Sequence, residues 1–513
     1  MSKRFAFLFL IIVVGFNLFW GLGNAPLLDP DEPVYAETAR EMINFKDYLS
    51  PRIYNEFWYD KPPMFYWLVA GTYNLFGVSD WGARFPSAVM GILTILIFYW
   101  GMTKRTNEDA AFWSAIVLGV SLEFVYLGKA AVTDMTLLFF LTSALMFYLT
   151  RHYYLFYIAM GLATVTKGPI GLVFPCAIIF LNCLFSRNWR TLKEMHIIKG
   201  IGLYAVFAVP WYYLMFQAHG QVFIDTFLGF HNITRFTTAE HPGRVLWYYY
   251  IPVLLLGIFP WTGMLLSSLR SSLRDSAESD FKLMFFMNIW WIFVFLFFTV
   301  SKTKLVSYIF PLFPPIAAII GWNIARLINR RFNTVPTVMA ISSVIMFLAM
   351  AGGWFYAGVA FPEISVGATV FAGITVVLAI AIGLSFFLYR DIRLAAACHA
   401  VAGIITMFVV FTNLLPEVAP RFSVKEAAEF YSMNCNTSTT IYVDKFLRPG
   451  FMFYTNEPGV ELLPKSQEAL EPISKANDCY VLVRGLELKR WDAKLRDETK
   501  VIFSKDDIYI LEK

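Results

Sequence analysis

Thirteen times between Phe5 and Leu415 the sequence holds an apolar run of membrane-spanning length. The runs lie at about 5–23, 84–103, 110–128, 135–150, 153–166, 169–185, 198–216, 246–267, 283–300, 307–325, 335–358, 366–388 and 394–415. In hydrocarbon every backbone amide must be paired within the protein, so such runs fold as helices. Composition agrees: 58% of the 513 residues are hydrophobic and 15% charged, against about one half and one quarter in a soluble domain. The expected fold is an α-helical polytopic membrane protein of about thirteen transmembrane helices. Met-Ser-Lys-Arg ahead of Phe5–Trp20 mimics a secretory signal, but the run continues to Gly23 and reads as a retained first helix.

Orientation follows from the loops. With the N-terminus inside, alternate loops carry Lys104/Arg105, Arg151, Arg187/Arg190/Lys193/Lys199, Arg270/Arg274/Lys282, Arg326/Arg330/Arg331 and Arg390/Arg393. All fall on one side, which the positive-inside rule makes cytoplasmic. The opposite loops mix both signs of charge with His, and an odd number of spans leaves everything after Leu415 outside. The mixed-charge loops therefore face away from the cytoplasm.

Two juxtamembrane helices are expected in the first outer loop. Val34–Phe45, with Pro33 in its first turn and Asp31 or Glu32 as cap, reads as amphipathic and lying on the membrane surface. Pro63–Phe76 is aromatic-rich and interfacial or re-entrant. After Glu417 the pattern turns to a short helix ("VKEAAEF") and four strand-like runs ("STTIYVD", "DCYVLVRG", "KVIFSKD", "IYILEK"). The expected organisation is a transmembrane domain, 1–416, and a small α/β domain outside the cytoplasm, 417–513. The five cysteines fit no zinc pattern, and Cys435 and Cys479 are the pair that an oxidising compartment could bridge. No basic-aromatic interleaving points to nucleic acid.

Charged clusters at the outer face carry the functional reading, each beside a plainer one. "DPDEP" offers Asp29, Asp31 and Glu32, where a helix cap needs one carboxylate; the others suit a general base or charge stabiliser. In "WYDKPP", Asp60 and Lys61 are either a solvated pair or a metal ligand beside a phosphate-binding point charge. Asp134 either caps its helix or serves a site at the membrane boundary. "AEHPGR" supplies His241 and Arg244; a lone His is usually a satisfied polar group, and zinc would need His241, Asp60 and a further ligand or water. Lys302 and Lys304 lie on the face that topology disfavours for cations, which an anionic lipid phosphate would explain. The sequence holds no phosphate-binding P-loop, Rossmann glycine pattern, G-x-S-x-G or H-E-x-x-H, so a nucleotide donor is not expected.

Taken in order, "PDE", "YDKP", "TD", "EH" and "KTKLVSYIFP" resemble the motifs of the polyprenyl-phosphate-dependent GT-C glycosyltransferases. Among these the chain is most similar to the lipid A 4-amino-4-deoxy-L-arabinose transferases and their protein O-mannosyltransferase relatives. The resemblance implies an inverting transferase that moves a sugar from undecaprenyl phosphate to lipid A or another glycan acceptor, with membrane lipids around it. It implies Asp31 as principal catalytic carboxylate, with Glu32 and Tyr35 beside it and Asp134 as second acid. Lys61, Arg84, Arg244, Lys302, Lys304 and Tyr308 would line the donor-phosphate site. Asp60, where the family has glutamate, would hold a divalent ion (zinc, magnesium or manganese) with His241. Val34 departs from the arginine of close arabinose-transferase relatives. Two other classes were weighed: a lipid-linked sugar flippase, which calls for mid-span ionisable groups and inverted repeats, and a non-catalytic assembly subunit, whose outer acids would face solvent.

Overall fold

The structure, a computed structural model, describes residues 3–227, 229, 246–274, 281–329, 337–462, 470–476, 478–491 and 493–513. It is mostly helical. The chain divides into two compact units: Met1–Trp20, Tyr59–Phe65 and Pro86–Val410 form the first, and Gly21–Trp58, Tyr66–Phe85 and Phe411–Lys513 the second. The second unit thus joins the early acidic loop to the C-terminal segment that the sequence reading set apart at 417.

The first unit contains α1 (Lys3–Phe19), most of α4 (Asp80–Arg105), α5 (Glu108–Gly119), α6 (Leu122–Gly128), α7 (Asp134–Leu149), α8 (Tyr153–Lys167), α9 (Ile170–Ser186), α10 (Arg190–Glu194) and α11 (Ile197–Ile224). Later helices include Tyr250–Gly257, Thr262–Arg274, Phe281–Val300, Phe313–Asn329, Thr337–Ala360, Ser365–Phe387 and Ile392–Val409. Among the described residues seven helices are long and apolar enough to cross a membrane, and two bent pairs bring the number to nine. The protein is a multi-pass membrane protein. The bends had no counterpart in the sequence reading: α5 and α6 meet at 62°, and Tyr250–Gly257 meets Thr262–Arg274 at 106°. Each supplies what the other lacks. Pro260 has no N–H, and the Phe259 carbonyl before it accepts the Leu122 N–H at 3.0 Å, at the start of α6. Broken backbone at membrane depth is tolerated where protein satisfies it. Helices elsewhere approach closely through small residues: a Cβ on Gly321 would overlap the Ser114 backbone, and one on Gly263 the Ser343 backbone.

In the second unit, α2 (Asp31–Asn44) and α3 (Met64–Phe76) join a five-stranded sheet. A short hairpin, β1 (Arg52–Ile53) and β2 (Glu56–Phe57), follows α2. The sheet comprises β3 (Ile441–Asp444), β4 (Val460–Leu462), β5 (Tyr480–Arg484), β6 (Lys500–Lys505) and β7 (Ile508–Glu512), in the order β4-β3-β5-β7-β6. β3 runs parallel to β4 and β5, and β7 antiparallel to β5 and β6. Strand alternation builds a core on each face: Val443, Leu482 and Ile510 with Phe451 and Tyr431 on one, and Val481, Val483 and Leu511 with Ile473 and Trp491 on the other. Cys435 packs on the first face and Cys479 on the second, and neither is bridged.

α2 corrects the sequence reading. Pro30, not Asp31 or Glu32, sits at its N-cap, and the charged residues after Asp31 face protein instead of water. Glu37, Arg40 and Glu41 are buried. Arg40 donates to the Met452 and Phe453 carbonyls at 2.8 and 2.9 Å and pairs with Glu37 at 2.5 Å. Glu41 accepts the Asn55 N–H. The amphipathic period was real, but its polar stripe is matched by carbonyls at the end of the helix Arg448–Thr455.

Candidate active site

The three carboxylates of "DPDEP" have separate fates. Asp29 is buried, and its Oδ2 accepts the Val424 N–H at 2.7 Å while its own N–H donates to the Phe422 carbonyl at 2.9 Å. Burial pushes its carboxyl well above the usual range. Gly450 comes so close that a Cβ there would collide with Asp29 Oδ1. Glu32 is the partner of Arg84. Arg84 Nε donates to Oε1 at 2.8 Å, and Nη2 to Oε2 at 2.6 Å and to the Pro26 carbonyl at 2.8 Å. Its Nη1 donates to the Leu22 and Ala25 carbonyls at 3.3 and 2.6 Å. Asp31, at the first position of α2, is exposed.

A guanidinium has five N–H donors, and all five of Arg84 are used within its own unit. This removes Arg84 from the expected phosphate-binding set. Glu32, buried against Arg84 and accepting the Leu28 N–H at 2.9 Å, likewise holds the loop in shape instead of facing a reacting group. Tyr35 stacks obliquely on Tyr66, ring centroids 5.9 Å apart.

In the first unit the centre is Asp134. It opens α7, and its Oδ1 accepts from Lys167 Nζ, at the end of α8, at 2.8 Å. Gly168 follows Lys167 with φ 75°, a left-handed turn that lets α8 stop there. The Lys167 ammonium also lies over the Tyr308 ring, 5.8 Å from its centroid. Tyr308 belongs to the 3-10 turn Val306–Leu312. Structure therefore joins Asp134 and Tyr308 through Lys167, a residue to which the sequence motifs give no role. Buried Glu123 on α6 is near enough to Asp134 for their charges to interact. Nothing in the sequence singled it out, because it sits within an apolar run.

Asp60 and Lys61 form a pair at 2.9 Å, with Lys61 Nζ also near the Asp60 carbonyl at 3.4 Å. Tyr59 beside them packs on His219, rings 5.3 Å apart. Lys304 is a second correction. Its ammonium donates to the carbonyls of Phe298, Thr299 and Ser301 at 3.1, 2.6 and 2.8 Å. All three of its hydrogens cap the end of the helix Phe281–Val300, a helix C-terminus that favours a cation. Burial, with Lys302 nearby, lowers its affinity for a proton. Lys302 itself is exposed. His241 and Arg244 lie outside the described residues. Among the described residues no group of three His, Cys, Asp or Glu side chains could hold a metal, and the Asp60 carboxylate is already paired with Lys61.

The fold has close counterparts among solved membrane proteins. Across all of the chain and 98% of its counterpart it superposes, with a TM-score of 0.81 at 21% identity, on a crystal structure of ArnT from Cupriavidus metallidurans bound to undecaprenyl phosphate. The archaeal oligosaccharyltransferase AglB from Archaeoglobus fulgidus, in complex with an inhibitory peptide and a dolichol-phosphate, superposes at 0.56 and 11% identity over 94% of the chain and 70% of its own.

Sequence narrows the likeness. Residues 60–214 match the family described as dolichyl-phosphate-mannose-protein mannosyltransferase. An uncharacterised Aquifex aeolicus protein is 30% identical over 62% of this chain and 63% of its own length. An undecaprenyl phosphate-alpha-4-amino-4-deoxy-L-arabinose arabinosyl transferase of Aeromonas hydrophila is 29% identical over 60% and 58%. The chain thus spans under two thirds of the length of these two relatives. It resembles the aminoarabinose transferases and, over residues 60–214, the dolichyl-phosphate-mannose-protein mannosyltransferases.

Proposed function

We propose that the protein is an inverting glycosyltransferase that moves a sugar from undecaprenyl phosphate to lipid A or another periplasmic acceptor. The observation that carries this is the division of labour in "DPDEP": the scaffold takes Asp29 and Glu32, and Asp31 is the exposed carboxylate of the three. The names of the Aeromonas relative and of the ArnT structure supply the donor class.

The acceptor oxygen attacks the anomeric carbon, the bond from that carbon to the phosphate oxygen breaks, and its electron pair leaves on the phosphate. Lys61 and Lys167 supply positive charge for that leaving group. A hydroxyl acceptor gives its proton to Asp31; an acceptor phosphate, already ionised, needs only to be positioned. A single displacement inverts the anomeric centre. Asp134 fixes the Lys167 ammonium. A divalent ion on Asp60 and His241 remains a separate proposal, tested by transfer activity after chelation, and no step here runs through it.

The seven long spans, two bent pairs, three shorter apolar helices and α8 together support thirteen crossings, with the 417–513 α/β segment and the active site on the periplasmic side. A protein hydroxyl as acceptor is the second reading, favoured by the family match over 60–214. Mass spectrometry of lipid A and membrane glycoproteins, with and without the gene and with Asp31→Asn, tests both. Full transfer by Asp31→Asn overturns the assignment of Asp31.

A further inference from the structure

A cavity of about 410 Å³ opens at the far ends of the helices that carry Asp134 and Lys167. It is lined by Trp100, Lys104, Arg105, Thr150, Arg151 and His152 beside Leu149. α7 runs from Asp134 to Leu149 and α8 returns from Tyr153 to Lys167. At 1.5 Å per residue the cavity therefore lies about 24 Å from the Asp134–Lys167 pair along the hairpin. It is a separate place on the same unit.

Its chemistry is that of an anion site. Lys104 and Arg105 end α4, and both are exposed. Arg151 comes from the turn between α7 and α8, and both Arg105 and Arg151 act electrostatically on Tyr153 at the start of α8. Cations from two different elements thus face one spot. Arg151 meets an acid at 3.6 Å, Glu194, but both side chains are solvent-accessible, at 72% and 38%, so that pairing is weak. Glu108 and Asp109 stand in the first turn of α5, where the helix dipole favours them. His152 Nδ1 lies 3.0 Å from Thr150 Oγ1, and Trp100 packs on the His152 ring with centroids 5.4 Å apart. The tryptophan supplies an amphipathic wall of the kind found at the bilayer boundary. No side chain caps the start of α8 at His152, so its first N–H groups add to the positive potential.

We propose that this cavity binds a phosphate group, presented by an anionic phospholipid headgroup at the membrane surface opposite the transfer site. Basic loops alone follow from topology and need no ligand; a concave site that gathers three cations, a histidine, a hydroxyl and an indole is more than topology requires. The proposal does not rest on the transfer reaction, so a failure of either leaves the other standing.

The test is native mass spectrometry of the full-length protein in detergent, titrated with phosphatidylglycerol, phosphatidylcholine or inorganic phosphate. Phosphatidylglycerol is expected to stay bound where phosphatidylcholine does not. The triple variant Lys104→Gln/Arg105→Gln/Arg151→Gln is expected to bind it at least about tenfold more weakly, since each basic residue near an anionic headgroup contributes about fivefold. The variant Lys282→Gln/Arg390→Gln/Arg393→Gln removes as many charges from the same side outside the cavity and is expected to bind like the parent. If the triple variant yields no protein, Arg105→Gln and Arg151→Gln singly carry the comparison, each with a loss of about fivefold. Binding of inorganic phosphate that the cavity variants abolish assigns the phosphate chemistry to a free anion and overturns the lipid as its source. Equal binding by cavity variants and parent, or an equal loss in the control variant, overturns the site.

Discussion

Two ion pairs, one in each unit, look alike in length and differ in what surrounds them. Glu32–Arg84 closes at 2.6 Å and Asp134–Lys167 at 2.8 Å. Arg84 uses every N–H it has, three of them on carbonyls of the chain entering α2. Lys167 makes one described hydrogen bond and lies over an aromatic ring, which leaves its ammonium capacity for a phosphate oxygen. A saturated pair holds backbone; a pair with capacity left can hold substrate. The sign and burial of a charge do not distinguish these roles, but its donor inventory does.

The sharpest way to break this comparison is Arg84→Ala, which strips Glu32 of its counter-charge and three carbonyls of their donor. It is expected to cost about 3–5 kcal/mol, read as a collapse of thermal stability and of monodisperse yield in detergent. Arg84→Lys recovers little, having three donors for five places. A variant that melts like the parent yet loses sugar transfer would return Arg84 to the phosphate site.

Lys167→Met tests the other side. Transfer is expected to fall about 100-fold, with a far smaller change in melting temperature than Arg84→Ala gives. A melt as low as that of Arg84→Ala would make Lys167 a scaffold residue too. Lys304→Met should resemble a lesser Arg84→Ala: a stability loss of about 1–2 kcal/mol for an uncapped helix end, with transfer intact in the folded fraction.

The smallest effect is a pH dependence. Burial raises the Glu37 carboxyl from 4.5 to about 7. Its folded value is above its unfolded one, so its contribution to stability is complete below pH 4.5 and is lost as pH rises through about 7. Glu37→Gln does not titrate, so its melting temperature should gain on the parent's across that window. A constant difference between the two curves would show that Glu37 keeps an ordinary affinity for its proton.

Much of the fold was legible because hydrocarbon leaves a chain few options. Each of the thirteen apolar runs centres on a helix or a bent pair, and the four strand-like runs after Glu417 became β3, β5, β6 and β7. β4 was missed: three residues, Val460–Leu462, carry too little alternation to be seen. The bends at Ser121 and Phe259–Pro260 were missed because apolarity is blind to a break that another break satisfies. Of the expected site residues, Asp134 and Tyr308 were placed together, through a lysine that residue type alone did not promote. Arg84 and Lys304 were misassigned for one shared reason. A cation at the outer face can serve a ligand or a carbonyl, and sequence does not show where the carbonyls point.

The second unit is sewn from positions 21–58, 66–85 and 411–513. A ribosome that has just finished Arg84 and Glu32 must still make more than three hundred residues before Val424 and Phe453 exist to receive Asp29 and Arg40. At about 5–20 residues per second the wait is about 17–75 s. Throughout it the nascent loop stands incomplete, while the later helices are threaded into the bilayer. Premature termination late in the message would therefore cripple the part of the protein translated first.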